Sequence, residues 1–119
     1  MFIATNRIRV KRGTGHKLEE RFASRAGVEQ QAGFLGFEMW KMRASRGEDY
    51  EEYLIVTHWQ SQEHQQQWVA GEAFKEAHAG PRPDFVVGHP KFRSYDVRLA
   101  SGPNTPKSDV PPAPAATPP

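Results

Sequence analysis

An indole and an imidazole, two side chains with useful chemistry, stand ten positions apart in the stretch WVAGEAFKEAH, as Trp68 and His78. On one straight helix they would lie roughly 80° apart in direction and about 15 Å apart along the axis. A break at Gly71 would let both face one cavity, because glycine weakens a helix interior and tolerates unusual backbone angles. Phe74 lies four residues before His78, on the same helical face. The stretch therefore predicts an imidazole held beside an aromatic ring, in a site that suits a flat ligand.

Three further polar residues are candidates for a site. Asn6 falls in the middle of a predicted strand, where asparagine is a poor fit, and such local inconsistencies are typical of functional positions. The alternative for Asn6 is an edge strand or a bulge. Arg21 and Arg25 are four residues apart on one face of a predicted helix. They form either a solvated surface or a pair of guanidinium groups placed to hold carboxylates.

Other catalytic or metal-binding patterns are missing from the sequence. The five histidines are scattered, and no pair has the spacing and carboxylate support of a zinc site. Neither a Ser–His–Asp set nor a pair of catalytic carboxylates can be identified from spacing. A lone histidine or tryptophan on a helix is more often structural than functional, so pattern alone leaves both roles open for Trp68 and His78.

Composition limits the domain organisation and the compartment. Residues 101–119 hold seven of the ten prolines and almost no large apolar side chain, which predicts a disordered tail after one domain at residues 1–100. The single Lys and Asp of the tail cancel, so the domain keeps the net charge of +2, too little for a nucleic-acid binder. The chain has no cysteine, which excludes disulfides and thiolate chemistry. Without a signal peptide or a membrane-length apolar run, we expect a soluble cytoplasmic protein.

Apolar periodicity predicts six elements in the order βαββαβ. The strands are predicted at residues 2–10, 34–43, 53–59 and 92–99, with a loop at 84–90. The first helix is predicted at residues 14–33. The second is predicted at residues 61–78, with Ser61 as its N-cap and a break at Gly71. Leu18, Phe22 and Ala26 form the predicted buried stripe of the first helix. The order indicates an α+β, ferredoxin-like domain.

Both faces of the predicted sheet are apolar. Phe34, Gly36 and Trp40 would share one face of the second strand, with Phe37 and Met39 on the other. The third strand shows a similar pattern, with Tyr53, Ile55 and Trp59 opposed to Leu54 and Val56. One helix layer covers only one face, so we expect the second face to pack on another subunit as a homodimer.

The sequence resembles the IsdG-type heme-degrading monooxygenases, within the antibiotic-biosynthesis-monooxygenase superfamily of dimeric α+β barrels. The resemblance runs from about residue 2 to residue 99. It is carried by TNRIRV, LEERFASR, GFLGFEMW, VTHWQSQEHQQQW and FKEAHAG. The three functional positions of that family, an Asn in the first strand, a Trp on the second helix and a His at its end, are matched by Asn6, Trp68 and His78.

The resemblance implies a role for each position. His78 would be the proximal ligand of heme iron, Asn6 would point its amide at the oxygen-binding side, and Trp68 would press on the porphyrin and distort it. Arg21 and Arg25 are candidate partners of the heme propionates, with Phe74 beside the ring. Heme would be both cofactor and substrate, cleaved with O2 to a bilin-type product and free iron. Electrons would come from an outside reductase, because the chain has no flavin or nicotinamide motif.

Two alternatives stay open from the sequence. The first is a cofactor-free monooxygenase of the same superfamily that acts on an aromatic or quinone-like substrate and needs no iron ligand. The second is a heme-binding protein without turnover, which keeps His78 as a ligand.

Overall fold

The computed structural model describes residues 1–24, 27–43 and 48–103, in which four strands and three α-helices are found. The strands are β1 (Phe2–Lys11), β2 (Phe34–Lys41), β3 (Tyr50–Trp59) and β4 (Val86–Asp96); the helices are α1 (Gly15–Ala23), α2 (Gln62–Ala70) and α3 (Glu72–Ala77), with a 3-10 turn at Val28–Gln30. The strands form one antiparallel sheet in the order β2-β3-β1-β4. The predicted α+β, ferredoxin-like βαββαβ fold is therefore confirmed, with its second helix in two pieces.

The second helical region begins and breaks where the sequence predicts. The Ser61 hydroxyl accepts a hydrogen bond from the backbone N–H of His64 at 3.3 Å, so Ser61 caps α2. The helix ends at Ala70 and α3 begins at Glu72, on the two sides of Gly71. Gly71 has φ −82° and ψ 162°, which is extended backbone open to any residue. The backbone at the break therefore does not require a glycine at this position.

The last strand was predicted wrongly. Residues 84–90 were expected to be a loop before a strand at 92–99, but β4 starts at Val86 and ends at Asp96. The pairing of β1 with β4 shifts register between Arg7 and Arg9, opposite Gly88 and Pro90. A bulge on an edge strand accommodates the positive φ of Gly88 (67°) and the proline, two residues that read as a loop in the sequence.

Other boundaries also differ from the prediction. The first helix ends at Ala23 instead of near residue 33, because Ser24 is extended and Gly27 is left-handed, with φ 79°. Ala26 of the predicted stripe lies outside the described residues, whereas Leu18 is buried and Phe22 half-buried. Strand β2 stops two residues before the expected residue 43, and β3 begins three residues before the expected 53, because it pairs with the whole of β1. Most of the predicted tail, residues 104–119, lies outside the description.

A second bulge corrects the predicted faces of β2. Phe34 was assigned to the face of Gly36 and Trp40, yet a register shift between Phe34 and Gly36 turns Phe34 to the helix-covered face. There its ring meets Trp59 edge-on, with ring centroids 5.4 Å apart. The faces of β3 are as predicted.

The core consists of two clusters on the helix-covered face of the sheet. One cluster contains Ile8, Val10, Leu18, Tyr53 and Ile55 under α1; the other contains Phe2, Val28, Trp59 and Trp68 under α2. In β1, Ala4 and Asn6 fall between the two clusters. The middle of this face is therefore left for a cavity instead of core. Among the described residues, no helix is long and apolar enough to cross a membrane.

Candidate functional site

A cavity of about 690 Å³ lies between the helix-covered face of the sheet and the helices. This volume is in the range of small-molecule sites. The structure brings five of the six predicted site residues to its wall: Asn6, Arg21, Trp68, Phe74 and His78. Arg25, the sixth, lies outside the described residues. Trp68 and His78 thus open into one cavity, which a straight helix would not allow.

The imidazole of His78 is held in a defined position at the C-terminal end of α3. Its ring stacks on Phe74, with centroids 3.9 Å apart and an interplanar angle of 23°. Its Nδ1 lies 2.8 Å from the carbonyl oxygen of Phe74. A carbonyl can only accept, so Nδ1 is the donor in this contact, and in a neutral imidazole the lone pair is then on Nε2. Metal-ligating histidines have this arrangement, with one nitrogen donating to a backbone carbonyl and the other free to coordinate.

Trp68 connects the cavity with the core. Only 9% of its surface is exposed, and it belongs to the cluster around Trp59 while also lining the cavity. Its indole meets Phe74 edge-on, with centroids 5.6 Å apart. The rings of Trp68, Phe74 and His78 therefore form a continuous aromatic wall across the break at Gly71, and the buried member anchors the exposed one.

Asn6 lies on the opposite wall, in β1. This strand pairs with both β3 and β4, and Asn6 itself is opposite Ile55 and Phe92, so the alternative of an edge position is wrong. The bulge begins one residue further on, after Arg7. The side-chain oxygen of Asn6 is buried and has no hydrogen-bond partner among the described residues. Buried polar atoms are rarely left unpaired, so this amide fits a ligand that supplies the missing contact.

The charges at the cavity have one sign. Arg21 and Arg82 line it, and His78 is the only His, Asp or Glu side chain among the described lining residues. Nowhere in the described part of the chain do three or more His, Cys, Asp or Glu side chains group to hold a metal ion. The site therefore fits a flat, mostly apolar anion whose metal, if it carries one, brings its other donors with it.

The sequence reasoning missed several residues of the wall. Thr57, Gln65, Arg82 and Phe92 all line the cavity. Thr57 could have been found from the β3 alternation, since it shares a face with Ile55 and Trp59. Phe92 depends on the position of the β4 bulge, for which the sequence offers only Gly88 and Pro90 as a signal.

Comparison with known proteins identifies the family of this chain. Residues 1–80 match the family described as antibiotic biosynthesis monooxygenase. This match covers more than half of the chain, and the chain belongs to this family. The resemblance stated from the sequence is thereby confirmed.

Individual relatives narrow the similarity further. The chain is 39% identical over 105 residues to a heme-degrading monooxygenase of Bacillus mycoides (strain KBAB4), covering 87% of this chain and 95% of that protein. It is 40% identical, with a TM-score of 0.64, to the heme degrader MhuD of Mycobacterium tuberculosis, solved with two hemes in its active site; the alignment covers 86% of this chain and all of that one. A cofactor-independent oxygenase of Streptomyces nogalater, SnoaB, shares the fold, with 18% identity and a TM-score of 0.62.

Proposed function

We propose that this protein is a heme-degrading monooxygenase that binds heme through His78. The observation that carries the proposal is the contact of 2.8 Å between His78 Nδ1 and the Phe74 carbonyl oxygen, which occupies Nδ1 and leaves Nε2 as the nitrogen that could ligate iron. A single protein donor suffices for heme, because the porphyrin provides four others. The names of the relatives from Bacillus mycoides and Mycobacterium tuberculosis support heme as the ligand.

Each remaining wall residue has a role in this proposal. Asn6 lines the cavity from the sheet, on the wall opposite His78, and its side-chain NH2 would donate a hydrogen bond to the oxygen side of the ligand without titrating near neutral pH. Trp68 lines the cavity with a core-anchored indole, which would press on the face of a bound porphyrin and favour its distortion. Arg21, together with Arg25 as the resemblance implies, binds the propionates, for which a guanidinium fork is well shaped.

Heme supplies the oxygen chemistry when it is bound, and the chain holds and orients it. The proposed reaction consumes O2 and electrons from an external reductase and yields a bilin-type product and iron. The cavity wall fits this division of labour, since among its described residues it offers no carboxylate to act as a general base. A cofactor-free monooxygenase, the first alternative, would have to use His78 as its base among these residues.

Hemin titration of the purified protein tests the binding step. We expect the Soret band to shift and sharpen in wild type, and His78→Ala to lose that change. His89→Ala is the matched control, because His89 is an exposed histidine that does not line the cavity and should behave as wild type. No Soret change in wild type, or the same change in His78→Ala, would contradict the proposal.

Turnover separates cleavage from storage. With an electron donor, O2 and catalase present, the Soret band of the wild-type complex should bleach as heme is opened. Asn6→Ala should bind hemin but bleach it at least tenfold more slowly, because the variant loses the only polar side chain proposed for that side. A wild-type band that never bleaches would assign the protein to heme binding without turnover.

We also propose that the protein is a homodimer built on the helix-free face of the sheet. On this face Trp40 and Tyr95 are 52% and 50% exposed. Both ring nitrogens of His58 and Nε of Arg7 are buried there without hydrogen-bond partners among the described residues. A second copy would cover the aromatic rings and supply polar partners. Sedimentation equilibrium should give twice the chain mass, and Trp40→Glu should lower it to the monomer value.

A further inference from the structure

Phe92 is an aromatic residue that the proposed mechanism does not use. It lies on β4, directly across from Asn6 in the strand pairing, so its side chain shares the helix-covered face of the sheet with that amide. It lines the cavity, yet 74% of its surface is exposed. Val69, on the helix side of the same cavity, is 37% exposed. Large apolar groups on both walls are therefore in water before any ligand binds.

An exposed aromatic ring at the rim of a cavity can be covered by a ligand, unlike an isolated aromatic residue elsewhere on the surface. Covering a phenyl ring with a flat apolar ligand removes a large apolar area from water and adds ring-to-ring contact. Because His78 lies on the helix wall and Phe92 on the sheet wall beside Asn6, a planar ligand between the walls can touch both residues. The contact with Phe92 needs no metal, whereas the contact with Nε2 of His78 does.

We propose that Phe92 is a binding residue for the tetrapyrrole ring itself, which clamps the macrocycle from the sheet side whether or not it holds iron. The proposal rests on the proposed function, since it names the part of the ligand that this wall recognises. It also implies a division between two determinants: His78 selects the iron, and Phe92 selects a broad flat ring.

Titration of two ligands into wild type and two variants tests this division. Hemin and iron-free protoporphyrin IX are titrated into wild type, Phe92→Ala and His78→Ala, with binding read from absorbance or porphyrin fluorescence. We expect Phe92→Ala to weaken both ligands about tenfold in Kd, or ~1.4 kcal/mol. His78→Ala should weaken hemin strongly and leave iron-free protoporphyrin within about twofold, because only the iron loses a ligand. Phe92→Trp, which keeps an aromatic face, should bind both at least as well as wild type.

Leu99→Ala is the matched control for Phe92→Ala. Leu99 is a large apolar residue that is 94% exposed, lies beyond the end of β4 and does not line the cavity. Its loss should not change either affinity. Wild-type affinity of Phe92→Ala for iron-free protoporphyrin would overturn the proposal, and an accompanying fall in sedimentation mass would assign Phe92 to a contact between copies. A wild type that binds iron-free protoporphyrin but not hemin would refute the role of His78 and leave that of Phe92 standing.

Discussion

Replacing Gly33 with alanine should damage the joint that positions α2, and with it Trp68. Gly33 has φ 79°, a left-handed conformation that costs a residue with a Cβ roughly 1–2 kcal/mol. The added Cβ would also overlap the imidazole of His64. That ring is fixed by a contact of 2.8 Å between its Nδ1 and the Ser61 hydroxyl. The ring cannot move away without disturbing the cap of α2.

The expected loss is the sum of these two effects. Loss of a helix N-cap costs about 1 kcal/mol, so Gly33→Ala should lower the free energy of unfolding by ~2–3 kcal/mol. For a domain of this size, that corresponds to a fall in Tm of about 10–20 °C. His64 and Trp68 are one helical turn apart, so hemin affinity should fall as well. Thermal unfolding by circular dichroism measures the first effect and Soret titration the second.

Gly71→Ala is the control, because it adds the same Cβ at a glycine that is not left-handed. Gly71 is extended, and an added Cβ would lie 3.3 Å from the Trp68 carbonyl oxygen, a tight contact that a small backbone shift relieves. We therefore expect its unfolding free energy to stay within about 1 kcal/mol of wild type and hemin to bind within about threefold. If Gly71→Ala proved more harmful than Gly33→Ala, the reasoning from backbone angle and space would be refuted.

Three further predictions concern stability and pH. Glu51 accepts hydrogen bonds from the backbone N–H groups of Gly13 and Gly15 at the start of α1 and pairs with Lys41 at 2.9 Å. Glu51→Gln should lower the free energy of unfolding in urea at pH 7 by ~1 kcal/mol. An unchanged free energy would mean that these contacts do not stabilise the protein. The hydrogen bond from Lys41, with those backbone donors, lowers the pKa of Glu51. The difference should therefore begin to shrink below about pH 4.5 and disappear only once the pH is below the lowered pKa of the folded protein. Burial lowers the pKa of His58, so as the pH drops below about 6.5 the unfolded chain is protonated before the folded protein and the free energy of unfolding should decline. His58→Gln should flatten this decline. An unchanged slope in the variant would mean that another group causes it. Trp68→Phe should lower the free energy of unfolding by ~1–2 kcal/mol and still bind hemin. If the variant no longer binds hemin, the indole is needed for binding as well as for distorting the ring.

The part of the site that the sequence predicted depends on local rules. A serine N-cap, a glycine break and a four-residue spacing between Phe74 and His78 each involve neighbours in the chain, and each is present in the structure. The same rules identified Asn6 as an unusual strand residue. They could not show that its side-chain oxygen is unpaired, because that depends on every element around it.

The errors have a common physical origin in strand pairing. Gly88 and Pro90 look like loop residues unless the opposite strand is known, and only the pairing with β1 makes them a bulge inside β4. The bulge beside Phe34 likewise reverses the face on which that ring lies. A one-residue shift in a strand moves every following side chain to the other face, so single-sequence alternation fails at such points. Phe92 was missed because the sequence alone does not show which face of β4 lies on the side of the helices.

The two halves of the broken helix differ in what stabilises them. Helix α2 is capped by Ser61 and sends Trp68 into the core, whereas α3 has six residues and no buried side chain. A helix of that length is not stable by itself in water, so α3 depends on the contact of Phe74 with Trp68. The proposed iron ligand therefore follows a short helix without a buried side chain, whereas the proposed ring-distorting residue is buried and lies on a capped helix. A ligand that joins His78 to the sheet wall would stabilise α3 in place, and release of a product without iron would free it again, because the bond to Nε2 is lost.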